Sequence, residues 1–120
     1  MEKMIKINDT LKMTREQGFP KELDINVHLK KPYKLENFKN KIFEFHKPLP
    51  RIYPLPPTRT FLVEEVNGKW INWGHCLITE QTIYSNRDKT SGKFKIIKLY
   101  EPEYLKLATK NDTPEGKSYF

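Results

Sequence analysis

The sequence predicts an α+β domain dominated by strand, a small mixed or antiparallel barrel-like sheet carrying two or three short helices. Three observations predict it. First, Asn67-Gly68 separates two apolar-rich runs, Arg59 to Val66 and Lys69 to Ile78, which is the strongest short-range hairpin signal a sequence offers. Second, a two-residue turn there pairs Val66 with Lys69, Glu65 with Trp70, Glu64 with Ile71, Val63 with Asn72, Leu62 with Trp73 and Phe61 with Gly74. Strict alternation then puts Leu62, Val66, Ile71, Trp73 and Leu77 on one face and Phe61, Val63, Trp70, Cys76 and Ile78 on the other. Both faces are partly apolar, so the hairpin should be covered on both sides, as a closing barrel with a helix or loop over it would be. Third, Phe94, Ile96, Ile97, Leu99 and Tyr100 mark another strand within Lys93 to Tyr100.

The remaining elements follow in chain order. Ile5, Ile7, Leu11 and Met13 alternate around Asn8-Asp9, which reads as a short strand pair or a bent strand over residues 4 to 13. Thr14-Arg15-Glu16-Gln17 has capping-box spacing, but Gly18 and Pro20 limit it to a tight turn. From Lys21 to Leu29 the apolar positions fit both a strand and a helix behind an Asp24 cap. A short helix is expected from about Leu35 to Asn40 and a strand from about Lys41 to His46. Five of the nine prolines lie between Pro48 and Pro57, so that segment must be extended loop, and its Leu49, Ile52, Tyr53 and Leu55 favour packing across the domain. Thr79 to Tyr84 continues as β or irregular chain, and Asn86 to Gly92 is a polar turn. Glu101-Pro102-Glu103 has the composition of a helix start for Tyr104 to Ala108, and residues 109–120 read as a loosely held polar tail.

A chain of 120 residues with 37% hydrophobic and 31% charged residues fits one globular domain spanning 1–120. Apolar runs stop at three residues, against the roughly 20 a membrane span needs, and the N-terminal charges precede no apolar block. One cysteine, Cys76, makes no internal disulfide and suits a reducing, cytoplasmic setting as a small buried hydrophobe. The net charge of +7 is uneven. Residues 1 to 60 hold 13 Lys/Arg against 7 Asp/Glu, net +6, whereas residues 61 to 120 hold 9 against 8, net +1. Such a surface suits an anionic partner, RNA or another nucleic acid first.

No catalytic motif emerges. His28, His46 and His75 are far apart, and His75-Cys76 neighbours point to opposite faces of a strand, so neither a metal site nor a Cys-His nucleophile is expected, and no cofactor is implied. Pro54-Leu55-Pro56-Pro57-Thr58-Arg59 has the PxxPx-basic form that proline-recognising domains bind, which keeps a protein-interaction role in view. Basic residues interleaved with aromatics point instead to phosphates and unpaired bases. Lys34, Lys41, Arg51, Tyr53, Arg59 and Lys93 are the candidate nucleic-acid contacts, with the Arg51, Tyr53 and Arg59 loop foremost. A competing reading is a small hydrolase of modified nucleosides, using Lys41, Glu64, His75 or Glu80 as acid-base groups in a closed pocket.

Two segments carry a family resemblance. Ile5-Lys6-Ile7-Asn8-Asp9-Thr10-Leu11-Lys12-Met13 resembles the aliphatic, Gly-Asp, aliphatic strand of PUA-like and ASCH domains. Trp73-Gly74-His75-Cys76-Leu77-Ile78-Thr79 is similar to their glycine-containing central strand. The resemblance implies a small pseudo-barrel that binds RNA or modified bases, as those domains commonly do, with a few ASCH members hydrolysing modified nucleosides. Asn8 stands where those families carry glycine, and no Gly-x-Lys-Thr string followed by arginine is present, so no catalytic residue carries over.

Overall fold

Among the described residues six strands form one sheet, and the longest of them organises the rest. A computed structural model of the chain describes residues 7–84, 89–102, 105 and 107–109. Its strands are β1 (Thr10–Met13), β2 (Phe43–Lys47), β3 (Thr60–Val66), β4 (Lys69–Ile83), β5 (Thr90–Leu99) and β6 (Leu107–Thr109). Their order is β1-β3-β4-β5-β2, with β6 also pairing β4. All pairs are antiparallel except β1 with β3. The sheet is therefore mixed, and it curls into a half-barrel.

The hairpin turn is as the Asn-Gly pair demands. Asn67 and Gly68 both have positive φ, 50° and 79°, the backbone of a type I′ turn whose twist matches its strands. Register follows the expectation from Val66–Lys69 to Val63–Asn72 and then departs from it. Leu62 pairs with Gly74, Phe61 with His75 and Thr60 with Cys76, because Trp73 is the extra residue of a bulge. Past the bulge the strand's two faces exchange. Cys76 and Ile78 join Leu62, Ile71 and Trp73 in the main core instead of lying opposite them, and Leu77 is half-exposed. Val63 and Trp70 form a second buried cluster with Phe61, so the hairpin is buried on both faces.

Gly74 makes the bulge sterically possible. Its φ is +150°, and a Cβ there would lie 2.0 Å from the Lys98 carbonyl oxygen on β5. The same device recurs where the sheet's ends approach. A turn at residues 15–18 follows β1, and Gly18 (φ +120°) lets it lie against β2, where a Cβ would meet the Glu44 carbonyl at 2.2 Å. The His46 N–H donates to the Gln17 carbonyl at 2.7 Å, and Lys47 Nζ donates to the Lys12 carbonyl and, at 3.1 Å, to Gln17 Oε1. The two outer strands are thereby bridged. Burial pushes the Lys47 ammonium below the usual lysine range, Glu65 opposes that, and Arg51 and Lys12 add to it.

The segment that fits both periods folds as helix α1 (Ile25–Lys30). Asp24 decides the outcome, its carboxylate accepting from the Asn26 N–H at 2.8 Å. His28 then anchors the helix to the sheet. With Tyr33 N–H donating to Nδ1 at 3.0 Å, the ring carries its proton on Nε2 and donates to the Tyr100 carbonyl at 2.9 Å. Its ring also stacks on Tyr33 and leans on Trp73. Leu35–Asn37 is a single 3-10 turn, so the described residues hold one α-helix and this turn where two or three helices are expected. None of it is long and apolar enough to cross a membrane. Tyr53 brings the proline-rich segment into the core, edge-on to Phe45, while the Gln81 side chain accepts from the Tyr53 N–H and donates to its carbonyl.

The expected helix at Tyr104 to Ala108 is replaced at its end by β6, with Leu107 opposite Ile71 and Thr109 opposite Lys69. Proline and acids favour a helix start locally, but the open edge of β4 offers Leu107–Thr109 a complete ladder. The tail expected over residues 109–120 lies outside the described residues after Thr109, as do residues 85–88 of the polar turn.

Substituting the two β4-hairpin glycines separates crowding from backbone strain. Gly74→Ala should cost at least about 2 kcal/mol, because it adds a backbone collision to an unfavourable φ. Gly68→Ala, whose Cβ meets nothing within 4 Å, should cost about 1 kcal/mol. Urea unfolding followed by Trp70 and Trp73 fluorescence measures both, and equal losses would mean that β5 yields to the Gly74 side chain.

Candidate functional site

The six candidate contacts fall in separate neighbourhoods. Lys34 is exposed at the start of the 3-10 turn. Lys41 is near that turn, 5.6 Å above the Phe38 ring and 3.6 Å from a Glu22 carboxylate oxygen. Arg51 is half-buried, with its N–H on Thr90 Oγ1 at 2.8 Å and its guanidinium on the Pro50 carbonyl at 3.0 Å. Tyr53 is core, 1% exposed, and burial pushes its phenol well above the ordinary range. Its hydroxyl is buried without a hydrogen-bond partner among the described residues. Lys93 stands on β5 opposite Glu44 of β2 on one side and Glu80 of β4 on the other. Arg59 is exposed.

Arg59 belongs to a second group that the pairing of β3, β4 and β5 assembles. On the outer face of the hairpin, Phe61 is directly opposite His75, their rings 5.3 Å apart and edge-on. His75 is in turn opposite Lys98 of β5. Its Nε2 is 2.8 Å from the Tyr100 hydroxyl, and Lys98 Nζ rides 5.6 Å from the Tyr100 ring centre. Burial holds the His75 imidazole below its ordinary value, and the charges of Lys98 and Arg59 push it the same way. Burial raises the Tyr100 phenol to about 12, with Arg59 opposing, so the hydroxyl keeps its proton through neutral pH. His75 Nδ1 is buried without a hydrogen-bond partner among the described residues. The result is a positively charged patch built against aromatic rings.

Comparison with protein-family models, with curated proteins and with solved structures finds no match to this chain.

The groups a hydrolase would use do not meet. Lys41 and Glu80 are exposed on different elements, and His75 is on the outer face. Glu64 points inward and is 5% exposed, but each carboxylate oxygen already accepts a bond, from Arg15 Nε at 3.0 Å and from the Trp73 indole N–H at 3.1 Å. Arg15 is committed too, its terminal nitrogens donating to the carbonyls of Pro20, Lys21 and Leu23. Cys76 is fully buried, and burial raises its thiol far above the reactive range. Both nitrogens of His28 are bonded, and among the described residues no three His, Cys, Asp or Glu side chains converge as metal ligands do. The proline ridge, by contrast, is open to solvent from Leu55 to Arg59.

The sequence alone points to Arg59 as a contact and to His75 only as an acid-base group of a hydrolase, and it gives no sign of Lys98 or Tyr100 as contacts. Their alignment depends on the β4–β5 pairing, in which two register shifts, after His75 and after Ile78, cancel each other. The Arg15–Glu64–Trp73 chain is missed for a similar reason, since 49 residues separate its ion pair.

The lowered proton affinity of the His75 imidazole makes stability depend on pH. The folded imidazole takes up a proton less readily than the unfolded one, so below about pH 6.5 the unfolded chain binds more protons. Stability should therefore fall as pH drops through 6.5 towards the lower folded value and stay level just above it. In His75→Gln this acid-side slope of Tm against pH, followed by circular dichroism, should be shallower than in the parent chain. Identical slopes would remove His75 from the account.

Proposed function

We propose that this domain binds RNA or another nucleic acid, or a nucleotide, through the cationic and aromatic patch around Arg59, His75, Lys98 and Tyr100. One observation carries the reading. The charges of Arg59 and Lys98 both act on an imidazole held between two aromatic rings, so excess positive charge and π-faces coincide in one place. A phosphate group would pair with the two cations, and the half-exposed Phe61 ring, rather than Tyr100 at 6% exposure, offers a base an apolar face. The net charge of +7 adds long-range attraction to the same class of partner. The resemblance of two strand segments to PUA-like and ASCH domains supports the reading, as does the barrel-like sheet. A cytoplasmic setting follows from the same reading and from the single, buried thiol.

A second reading, docking of a protein that recognises proline-rich segments, is favoured by the open ridge from Leu55 to Arg59. The two share Arg59 and separate at Leu55. Leu55→Ala should weaken a protein partner and leave RNA binding unchanged.

Fluorescence anisotropy with a labelled single-stranded RNA of about 20 nucleotides tests the main reading, since it offers several phosphates to the patch. Affinity should fall steeply between about 50 and 200 mM salt, and Arg59→Glu with Lys98→Glu should lower it at least roughly tenfold and flatten the salt slope. Both residues are exposed, so the double variant should keep the fold. Absence of binding, salt-independent binding, or an unchanged affinity in the double variant would overturn the proposal.

A further inference from the structure

On the opposite, inner face of the hairpin, α1 stands over a cavity of about 600 Å³. Its volume is within the range of small-molecule sites, roughly 300 to 1,000 Å³. The walls are apolar. Ile25 and Leu29, one turn apart on α1, face Val66 and Ile71 of the hairpin, and Leu29 and Val66 stand exposed at the rim. The polar groups are Glu64, Asp24 and Arg15.

Those three groups select by charge. The Arg15 guanidinium is turned to Glu64 and to three backbone carbonyls, which leaves it little to offer a ligand anion. Glu64 accepts one hydrogen bond on each oxygen, and a carboxylate oxygen has room for two. Two carboxylates thus face the cavity against one committed cation. An anion entering it would meet like charge, and a wholly apolar molecule would cover the remaining carboxylate lone pairs with nothing to donate to them.

We infer that this cavity is a binding site for a small organic ammonium ion, an apolar or aromatic body carrying a primary amine that donates to Glu64. The site is independent of the nucleic-acid patch, which occupies the other face of the same hairpin. The apolar body fills the space between α1 and the hairpin, and the ammonium makes charge-assisted hydrogen bonds at its floor.

The full-length chain can be titrated with benzylammonium, benzyl alcohol and benzoate while NMR follows the Ile71 methyls and the Trp73 indole N–H. Benzylammonium should shift both signals and half-saturate at a concentration at least roughly tenfold below benzyl alcohol, a ratio set by one charge-assisted bond, and benzoate should shift neither. Leu29→Trp, at an exposed rim position, should abolish the response without lowering Tm. Glu64→Gln should erase the preference for the amine over the alcohol. Equal or tighter binding of benzyl alcohol or benzoate, no shift of these two signals with benzylammonium, or an undiminished response in Leu29→Trp would overturn the inference. RNA affinity measured in Leu29→Trp should be that of the parent chain, so failure of either proposal leaves the other standing.

Discussion

The bulge at Trp73 is the constraint on which the arrangement of side chains depends. A strand that alternated without interruption would send Cys76 and Ile78 to one face and Ile71 and Trp73 to the other, and each face would hold half a core. One extra residue moves them all to the same side, where they meet Phe94 and Ile96 of β5. The bulge requires Gly74, since β5 passes too close for any side chain there. His75, immediately afterwards, is consequently on the outer face with Phe61, so the proposed nucleic-acid patch inherits its position from this single step.

Much of the fold was legible because local chemistry specified it. Asn67-Gly68 dictates a turn whose register holds for four residue pairs, and Asp24 supplies the cap that turns an ambiguous segment into α1. What was not legible depends on partners distant in the chain. Gly74 looks like an ordinary strand glycine until Lys98 is brought beside it. Leu107 to Thr109 follow a sound helix-start signal and still become strand, because an open edge of β4 outweighs a few residues of propensity. Of the candidate surface, only the cation at Arg59 was legible, since His75 reads from the sequence as an acid-base group and not as a surface contact. Its completion by Lys98 and Tyr100 was hidden in the β4–β5 register. Tyr53 misled for a plain reason: proline-rich loops are usually solvated, and here the ring fills the space above Phe45.

The domain divides its polar groups between two jobs. Inside, Glu64 links the indole of Trp73 to Arg15 and so ties β3, β4 and the turn after β1 together around a buried charge. His28 does the same for α1 and the end of β5 with a neutral ring. Outside, the charges of Arg59 and Lys98 both bear on His75. The interior network pairs its charge across three elements, whereas the outer face sets two cations beside aromatic rings.

The bridge between the outer strands matters for more than shape. An open sheet has two margins whose unpaired amides can recruit the margin of a neighbouring molecule, which is how β-rich proteins begin to form fibrils. Here the Gln17 carbonyl takes an amide of β2, and Lys47 covers a carbonyl of β1 with a cation that a second strand would have to displace. Gly18, by allowing the turn to lie that close, guards the chain against self-association as well as shaping the half-barrel.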